Sequence, residues 1–104
     1  MHAHPIFTLD QCRQAARGGR ATAVTIKTLV RYHFDESNAT LLEQGLLGIA
    51  RSEAVVESMR SRHGMKYIVD GAIATPLGSR VKLRTIWIIE QGQERPRFVT
   101  AYPL

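Results

Sequence analysis

The sequence predicts the α+β fold class, with two or three N-terminal helices packed on a four-stranded antiparallel sheet. Apolar residues recur at helical intervals up to about residue 52 and mostly at alternate positions after it. Segments rich in turn residues separate the β segments, and such short connections favour an antiparallel meander. We therefore expect one domain over residues 1–104, helical over about 8–52 and β over about 53–104.

Two helices are predicted ahead of residue 35. The segment "TLDQCRQAARGG" opens with a capping-box pattern and stops at paired glycines. In "RATAVTIKTLVRYHF", the residues Ala23, Ile26, Val30 and Phe34 follow a helical spacing. The many β-branched residues of this segment lower its helix propensity, because they lose rotamer freedom in a helix.

A third helix is predicted over "DESNATLLEQGLLGIARS". Ser37 or Asn38 can cap its N-terminus, and apolar side chains line one of its faces. Gly45 and Gly48 lie three positions apart within it. Glycines at that spacing indicate close packing of the helix against a neighbouring element.

Four strands are predicted from residue 53 onwards, in the segments "AVVESMR", "MKYIVDGAI", "RVKLRTIWIIE" and "RFVTAYP". The connections between them read "SRHG", "ATPLGS" and "QGQERP", and they are rich in turn-forming residues. His63 lies in the first of these connections. Asp70 and Gly71 are interpreted as support for a turn.

The third predicted strand alternates clearly between two faces. One face carries Val81, Leu83, Thr85, Trp87 and Ile89, and the other carries Arg80, Lys82, Arg84, Ile86 and Ile88. Trp87 is therefore expected in the core. The basic stripe is either a solvated face or a patch that follows nucleic-acid phosphates.

The last predicted strand carries Arg97, Thr100 and Tyr102. Regular alternation places Thr100 and Tyr102 on one face together with Phe98, and Arg97 on the other face. Because Arg97 follows Pro96, the alternation applies to it only if regular pairing begins that early. Thr100 and Tyr102 belong either to a half-buried sheet face or to a phosphate-handling site.

The positive charge is concentrated in the C-terminal part of the chain. The formal net charge is +5 and the pI is near 10.0. Residues 60–104 hold eight basic and three acidic residues, whereas the basic and acidic residues before them balance. This asymmetry indicates an anionic partner such as nucleic acid, although basic surfaces without that role are common.

Several classes of protein are excluded or disfavoured. No run approaches the roughly 20 apolar residues of a membrane span, and "MHAHPIFTLDQ" lacks the features of a secretion signal. A single cysteine, Cys12, excludes an internal disulfide and is interpreted as a core residue. Nothing completes a metal shell around His2 and His4, so we expect no cofactor. The expected location is cytoplasmic.

The segments "HGMKYIVDG", "TPLG", "LRTIWII" and "PRFVTAYPL" occur here in that order. In this combination the chain, from about Phe34 to its C-terminus, resembles an uncharacterised family of small bacterial proteins. That family is abundant in cyanobacteria, and its domain also occurs at the ends of long secreted adhesin-like chains. Its members carry a "HPxGRSKA"-like stretch, where this chain reads "RGGRATAVTIK".

A looser resemblance concerns the order of elements. N-terminal helices followed by a four-stranded sheet that ends in "VTAYP" are similar to ribonuclease toxins of the barnase, EndoU, colicin and RelE grouping. This resemblance implies metal-independent cleavage of RNA and a cognate inhibitor. Because a fold does not determine a function, the site residues must carry the assignment.

RNA cleavage without a metal needs a base, cations that stabilise the charged phosphorane, and an acid for the leaving oxygen. The residue types that supply these roles in the sheet half are His63, Arg84, Arg97, Thr100 and Tyr102, which form the expected catalytic set. The expected nucleic-acid-binding set is Lys66, Arg80, Lys82 and Arg84. For His63, a solvated turn residue is the competing interpretation.

Three functions remain open on the sequence. The leading one is a small ribonuclease-toxin-like domain that acts on RNA and is held by a cognate inhibitor. The second is a non-catalytic interaction module that binds nucleic acid or an acidic protein through a basic sheet face. The third is an accessory protein that blocks a partner's nucleic-acid site. Homo-oligomers are compatible with each of them.

Overall fold

The computed structural model describes residues 26–93 and 96–104. After a helical turn at residues 26–28, two short 3₁₀ helices cover Val30–Tyr32 and Glu36–Asn38. One α-helix follows, α1 (Ala39–Ser52), and then four strands: β1 (Val55–Ser61), β2 (Gly64–Ala74), β3 (Arg80–Glu90) and β4 (Arg97–Pro103). The predicted helix over "TLDQCRQAARGG", Cys12, His2 and His4 lie outside the described residues.

The four strands form one antiparallel sheet in the order β1-β2-β3-β4. The predicted meander is therefore confirmed, and the third and fourth predicted strands have the bounds of β3 and β4. The pairing of β2 with β3 is regular from Gly64↔Glu90 to Ala74↔Arg80. Register shifts occur in the pairing of β1 with β2 and of β3 with β4.

The predicted helix over residues 20–34 is interrupted in its described part. The 3₁₀ helix Val30–Tyr32 ends at His33, whose φ of 71° lies in the left-handed region and cannot continue a helix. β-Branched residues weaken this segment, as the sequence indicates. Two apolar residues of this segment, Leu29 and Phe34, are nevertheless buried in the core.

The predicted third helix is confirmed as α1, but its cap differs from the prediction. The Oδ1 of Asp35 accepts a hydrogen bond from the Ser37 amide at 2.8 Å, and the Asp35 amide donates to Oδ1 of Asn38 at 2.8 Å. Asp35 therefore caps the 3₁₀ turn that leads into α1. Asn38 is the first residue ahead of α1, but its side chain caps nothing in that helix.

The helix and the sheet approach each other closely at two glycines. A Cβ at Gly45 would lie 2.8 Å from Cγ2 of Ile73, and one at Gly71 would lie 2.8 Å from Cγ1 of Ile49. The packing predicted for Gly45 is confirmed. The prediction for Gly48 is wrong, because a Cβ there would have no neighbour within 4 Å.

The core lies between α1 and one face of the sheet, which we call the core face. Its buried apolar side chains include Leu29, Phe34, Leu42, Leu46, Val69, Ile73, Leu83, Trp87, Phe98 and Ala101. The rings of Trp87 and Phe98 have centroids 5.1 Å apart and are tilted by 60°. Buried Thr85 donates to the carbonyl of Val69 at 2.6 Å and accepts from the Trp87 indole at 2.8 Å, so both polar side chains are satisfied.

Candidate functional site

The sheet has a second face, which we call the outer face, directed away from the core. It alternates with the core residues along β2 and β3, and strand pairing extends it to β4. The residues of this face that matter for the site are Lys66, Asp70, Arg80, Lys82, Arg84, Ile86, Ile88, Arg97, Thr100 and Tyr102. The predicted basic stripe of β3 is thus confirmed as one face.

A β-bulge in β4 brings three of the candidate residues onto this face. Ile86 pairs with Thr100 but the next residue, Trp87, pairs with Phe98, so Val99 is the extra residue. The bulge shifts the alternation by one position, and Phe98 enters the core while Arg97 turns outward. The predicted common face of Phe98 and Thr100 is therefore wrong, whereas the common face of Thr100 and Tyr102 is confirmed.

Arg84 is the centre of the polar arrangement on the outer face. Its Nε donates to Oδ1 of Asp70 and its Nη2 donates to Oδ2, both at 2.9 Å. Tyr102 lies directly opposite Arg84 on β4. The hydrogen bonds to Asp70 raise the pKa of Arg84, and Tyr102 adds a smaller contribution in the same direction. The guanidinium is thus fully charged and held in one orientation.

The interpretation of Asp70 as support for a turn is wrong. Asp70 lies within β2 and faces Arg84 across the strand pair. The sequence contains a signal for this contact. A turn centred on Leu77 in "ATPLGS" pairs residues that are equally far from Leu77 along the chain. Asp70 and Arg84 are each seven positions from Leu77.

Arg97 also carries a carboxylate partner. Its Nε donates to Oε1 of Glu90 at 2.7 Å, and both side chains are well exposed. Arg97 pairs with Ile88, four residues from Arg84 along β3, which corresponds to about 13 Å. Arg84, Arg97, Thr100 and Tyr102 therefore share one surface of modest length, and sequence reasoning misses the neighbouring carboxylates of Asp70 and Glu90.

The structure places His63 far from Arg84, near the end of the sheet that carries Glu90. His63 lies in the exposed turn between β1 and β2, where its carbonyl accepts from the Gln91 amide at 3.0 Å. The adjacent pair Gly64↔Glu90 lies six residues from the pair Asp70↔Arg84, or about 20 Å along the strands. That separation is too long for direct participation at the Arg84 centre.

The expected nucleic-acid-binding residues are distributed along the outer face. Arg80 and Lys82 are exposed and continue from Arg84 toward the β2–β3 turn. Lys66 lies on β2 opposite Ile88, toward the other end. Basic side chains therefore lie on both sides of Arg84 along the outer face.

Residues 26–93 and 96–104 contain neither a cluster of metal-ligating side chains nor a helix suited to a membrane. Within residues 26–93 and 96–104, no three His, Cys, Asp or Glu side chains are arranged to hold a metal ion. Over the same residues, none of the helices has the length and apolar character needed to cross a bilayer.

Comparisons with known proteins place the fold and the family. The chain is similar to a chain of a contact-dependent growth inhibition toxin–immunity protein complex from Klebsiella pneumoniae 342, with a TM-score of 0.61 and 11% sequence identity. The match covers 90% of this chain and 97% of that one, and at this identity it shows a shared fold. No curated protein matches the sequence. A family model described as a domain of unknown function (DUF6883) matches residues 14–104, and the chain therefore belongs to that family.

Proposed function

We propose that this protein is a small ribonuclease-toxin-like domain that cleaves RNA by metal-independent transesterification on the outer face. The observation that carries the proposal is the bulge at Val99, which places Arg97, Thr100 and Tyr102 on the same accessible face as Arg84. A phosphate clamp and hydroxyl groups in one place are what this reaction requires.

The proposed reaction converts a phosphodiester into a 2′,3′-cyclic phosphate and a 5′-hydroxyl. The 2′-oxygen loses its proton and bonds to phosphorus, while the bond from phosphorus to the 5′-oxygen breaks. Asp70, the carboxylate beside Arg84, accepts the proton of the 2′-hydroxyl. Tyr102 donates a proton to the departing 5′-oxygen, and Thr100 positions the phosphate. His63 has no part in this arrangement because of its distance.

Arg84 stabilises the negative charge that develops on the phosphorane oxygens. A guanidinium carries five N–H donors, and Asp70 accepts from one at Nε and one at Nη2. Asp70 does not use the Nη1 group or the second Nη2 hydrogen, so a phosphate can bind there without displacing Asp70. Arg97, held by Glu90 through Nε, presents its Nη groups to a neighbouring phosphate in the same way.

The fold links the chain to toxin–immunity pairs, and the charge favours the toxin member of such a pair. A chain of similar fold belongs to a toxin–immunity protein complex, which motivates a cognate inhibitor as partner. A net charge of +5 suits the member of such a pair that acts on nucleic acid. We accordingly place the activity in the cytoplasm, where RNA is available.

The test is a cleavage assay with synthetic single-stranded RNA in the presence of EDTA. We expect products that end in 2′,3′-cyclic phosphate, and a rate lowered about 10²–10⁴-fold in Asp70→Asn. Glu36→Gln, which changes an exposed carboxylate of the 3₁₀ helix ahead of α1, should retain the parental rate. RNA that stays intact with folded parent protein at high concentration would refute the proposal.

A second candidate is a non-catalytic basic module that binds nucleic acid or an acidic protein. One observation favours it: Arg84 and Arg97 on the outer face already hold carboxylates. Cross-strand ion pairs of this kind also occur as purely structural features of sheets. RNA binding without any cleavage in the same assay would select this function.

A further inference from the structure

A cavity of about 420 Å³ opens at the end of the sheet where the β1–β2 turn meets the loop after β3. We call it the end pocket. Its lining includes Arg60, Met65, Ile89, Glu90, Gln91 and Gln93. Its volume falls within the range of roughly 300–1,000 Å³ found for small-molecule sites.

Two apolar side chains, those of Met65 and Ile89, lie in the end pocket with a cation at one side. Arg60 pairs with Met65 and Met65 pairs with Ile89, so the three side chains form one row across β1, β2 and β3. This row lies on the core face, but α1 packs against Gly71 at the other end, about 20 Å away. Met65 and Ile89 are consequently only half-buried.

The rim of the end pocket carries the side-chain amides of Gln91 and Gln93, on a backbone held by hydrogen bonds. The backbone N–H of Gln91 donates to the carbonyl of His63 at 3.0 Å, and the backbone N–H of Gln93 donates to the carbonyl of Glu90 at 2.9 Å. Gly92 between them has a φ of 78°, which supports this tight turn. Both glutamine side chains are exposed, and each amide offers donors and an acceptor.

The end pocket adjoins the proposed site through a shared residue. Glu90 lines the pocket and its Oε1 also accepts the hydrogen bond from Arg97 on the outer face. Glu90 therefore lies between Arg97 on the outer face and the end pocket on the core face.

We propose that the end pocket binds one nucleotide of the RNA substrate and reads its base. The base lies on Met65 and Ile89, the amides of Gln91 and Gln93 bond to its polar edge, and Arg60 holds a phosphate. This inference rests on the proposed function for the identity of the substrate. It assigns a substrate-recognition site outside the outer face.

The test measures binding directly, by titrating the ¹⁵N-labelled chain with each of the four 5′-mononucleotides, with the nucleosides and with inorganic phosphate. We expect amide shifts over residues 60–65 and 89–93, and unequal affinities for the four bases. The double variant Gln91→Ala, Gln93→Ala should weaken binding about tenfold, because two hydrogen bonds to the base are removed. Arg60→Gln should weaken the binding of nucleotides but not of nucleosides.

Matched controls and the other outcomes make the test decisive. Gln44→Ala and Arg51→Gln, which change residues of α1, should leave nucleotide affinity unchanged. Shifts confined to the surroundings of Arg84 and Tyr102, or reproduced in full by inorganic phosphate alone, would overturn the end pocket as a base site. Because binding is read without turnover, intact RNA in the cleavage assay overturns only the enzymatic proposal.

Discussion

At the scale of single residues, the side chain that organises the outer face is Arg84. Two parallel hydrogen bonds to Asp70 hold its guanidinium in one plane. Lysine has one compact ammonium group and could not make this bidentate contact. The ion pair therefore orients the guanidinium before any substrate binds. This guanidinium is the group proposed to bind a phosphate.

Tyr102 provides the sharpest test at this scale. Tyr102→Phe removes one hydroxyl from a side chain that is 40% exposed, so we expect little change in the free energy of unfolding. Removal of a proton donor should lower the RNA cleavage rate about 10²–10⁴-fold. The measurement pairs a urea unfolding curve with the cleavage assay.

Tyr67→Phe is the matched control for this prediction, because Tyr67 lies on β2 opposite Trp87 and away from the outer face. It should retain the parental rate. If Tyr102→Phe loses activity only in proportion to its stability, the hydroxyl is structural and has no catalytic role.

At the scale of elements, two glycines of α1 that look alike in the sequence have different surroundings. Gly45→Ala places a Cβ against the Cγ2 methyl of Ile73, and we expect the free energy of unfolding to fall by about 1–3 kcal/mol from overpacking. Gly48→Ala meets no neighbour and should gain about 0.5–1 kcal/mol from helix propensity. Urea unfolding measures both, and equal stabilisation by the two changes would contradict the close approach of α1 to β2.

The turn that leads into α1 contains a pH-dependent hydrogen-bonded cap. Hydrogen bonds, first of all from the Ser37 side chain, lower the pKa of Asp35 below its ordinary value. A lowered folded-state pKa means that the contribution to stability is present above the unfolded-state pKa and disappears as the pH falls through the folded-state value. Asp35→Ala should therefore lower Tm at neutral pH, and its difference from the parent should shrink below about pH 4.

Glu57→Ala, in exposed β1, controls for the general effect of removing one carboxylate from a cationic protein. A Tm difference for Asp35→Ala that stays constant down to about pH 2 would show that the cap acts without its charge.

At the scale of the whole molecule, the positive charge of residues 60–104 makes the proposed RNA binding testable. We expect the double variant Arg80→Ser, Lys82→Ser to bind single-stranded RNA more weakly and to flatten the dependence of log Kd on log salt. The slope should fall by about 0.7 for each phosphate that the variant no longer neutralises. Fluorescence anisotropy over a series of salt concentrations gives both quantities.

The double variant Lys27→Ser, Arg51→Ser removes the same charge from exposed positions of the helical part. It should leave the slope close to that of the parent. Equal effects from the two double variants would mean that only net charge matters and that the outer face has no special role.

The sequence alone was sufficient for the β-sheet architecture. The alternation along β3 and the turns on either side of it depend on the conformational preferences of residues close together in the chain. The strand order, the bounds of β3 and β4 and the burial of Trp87 therefore follow from pattern. The position of the "ATPLGS" turn is also sufficient to pair Asp70 with Arg84, because regular antiparallel pairing is symmetric about its turn.

Only the tertiary structure decided which side chains of β4 lie on the outer face. The bulge at Val99 depends on how β4 matches β3, where burying both Phe98 and Ala101 requires an extra residue between them. Likewise Gly45 and Gly48 differ only because Ile73 lies beneath one of them. Such features arise from contacts between segments distant in the chain, and a periodic pattern within one segment carries no information about them.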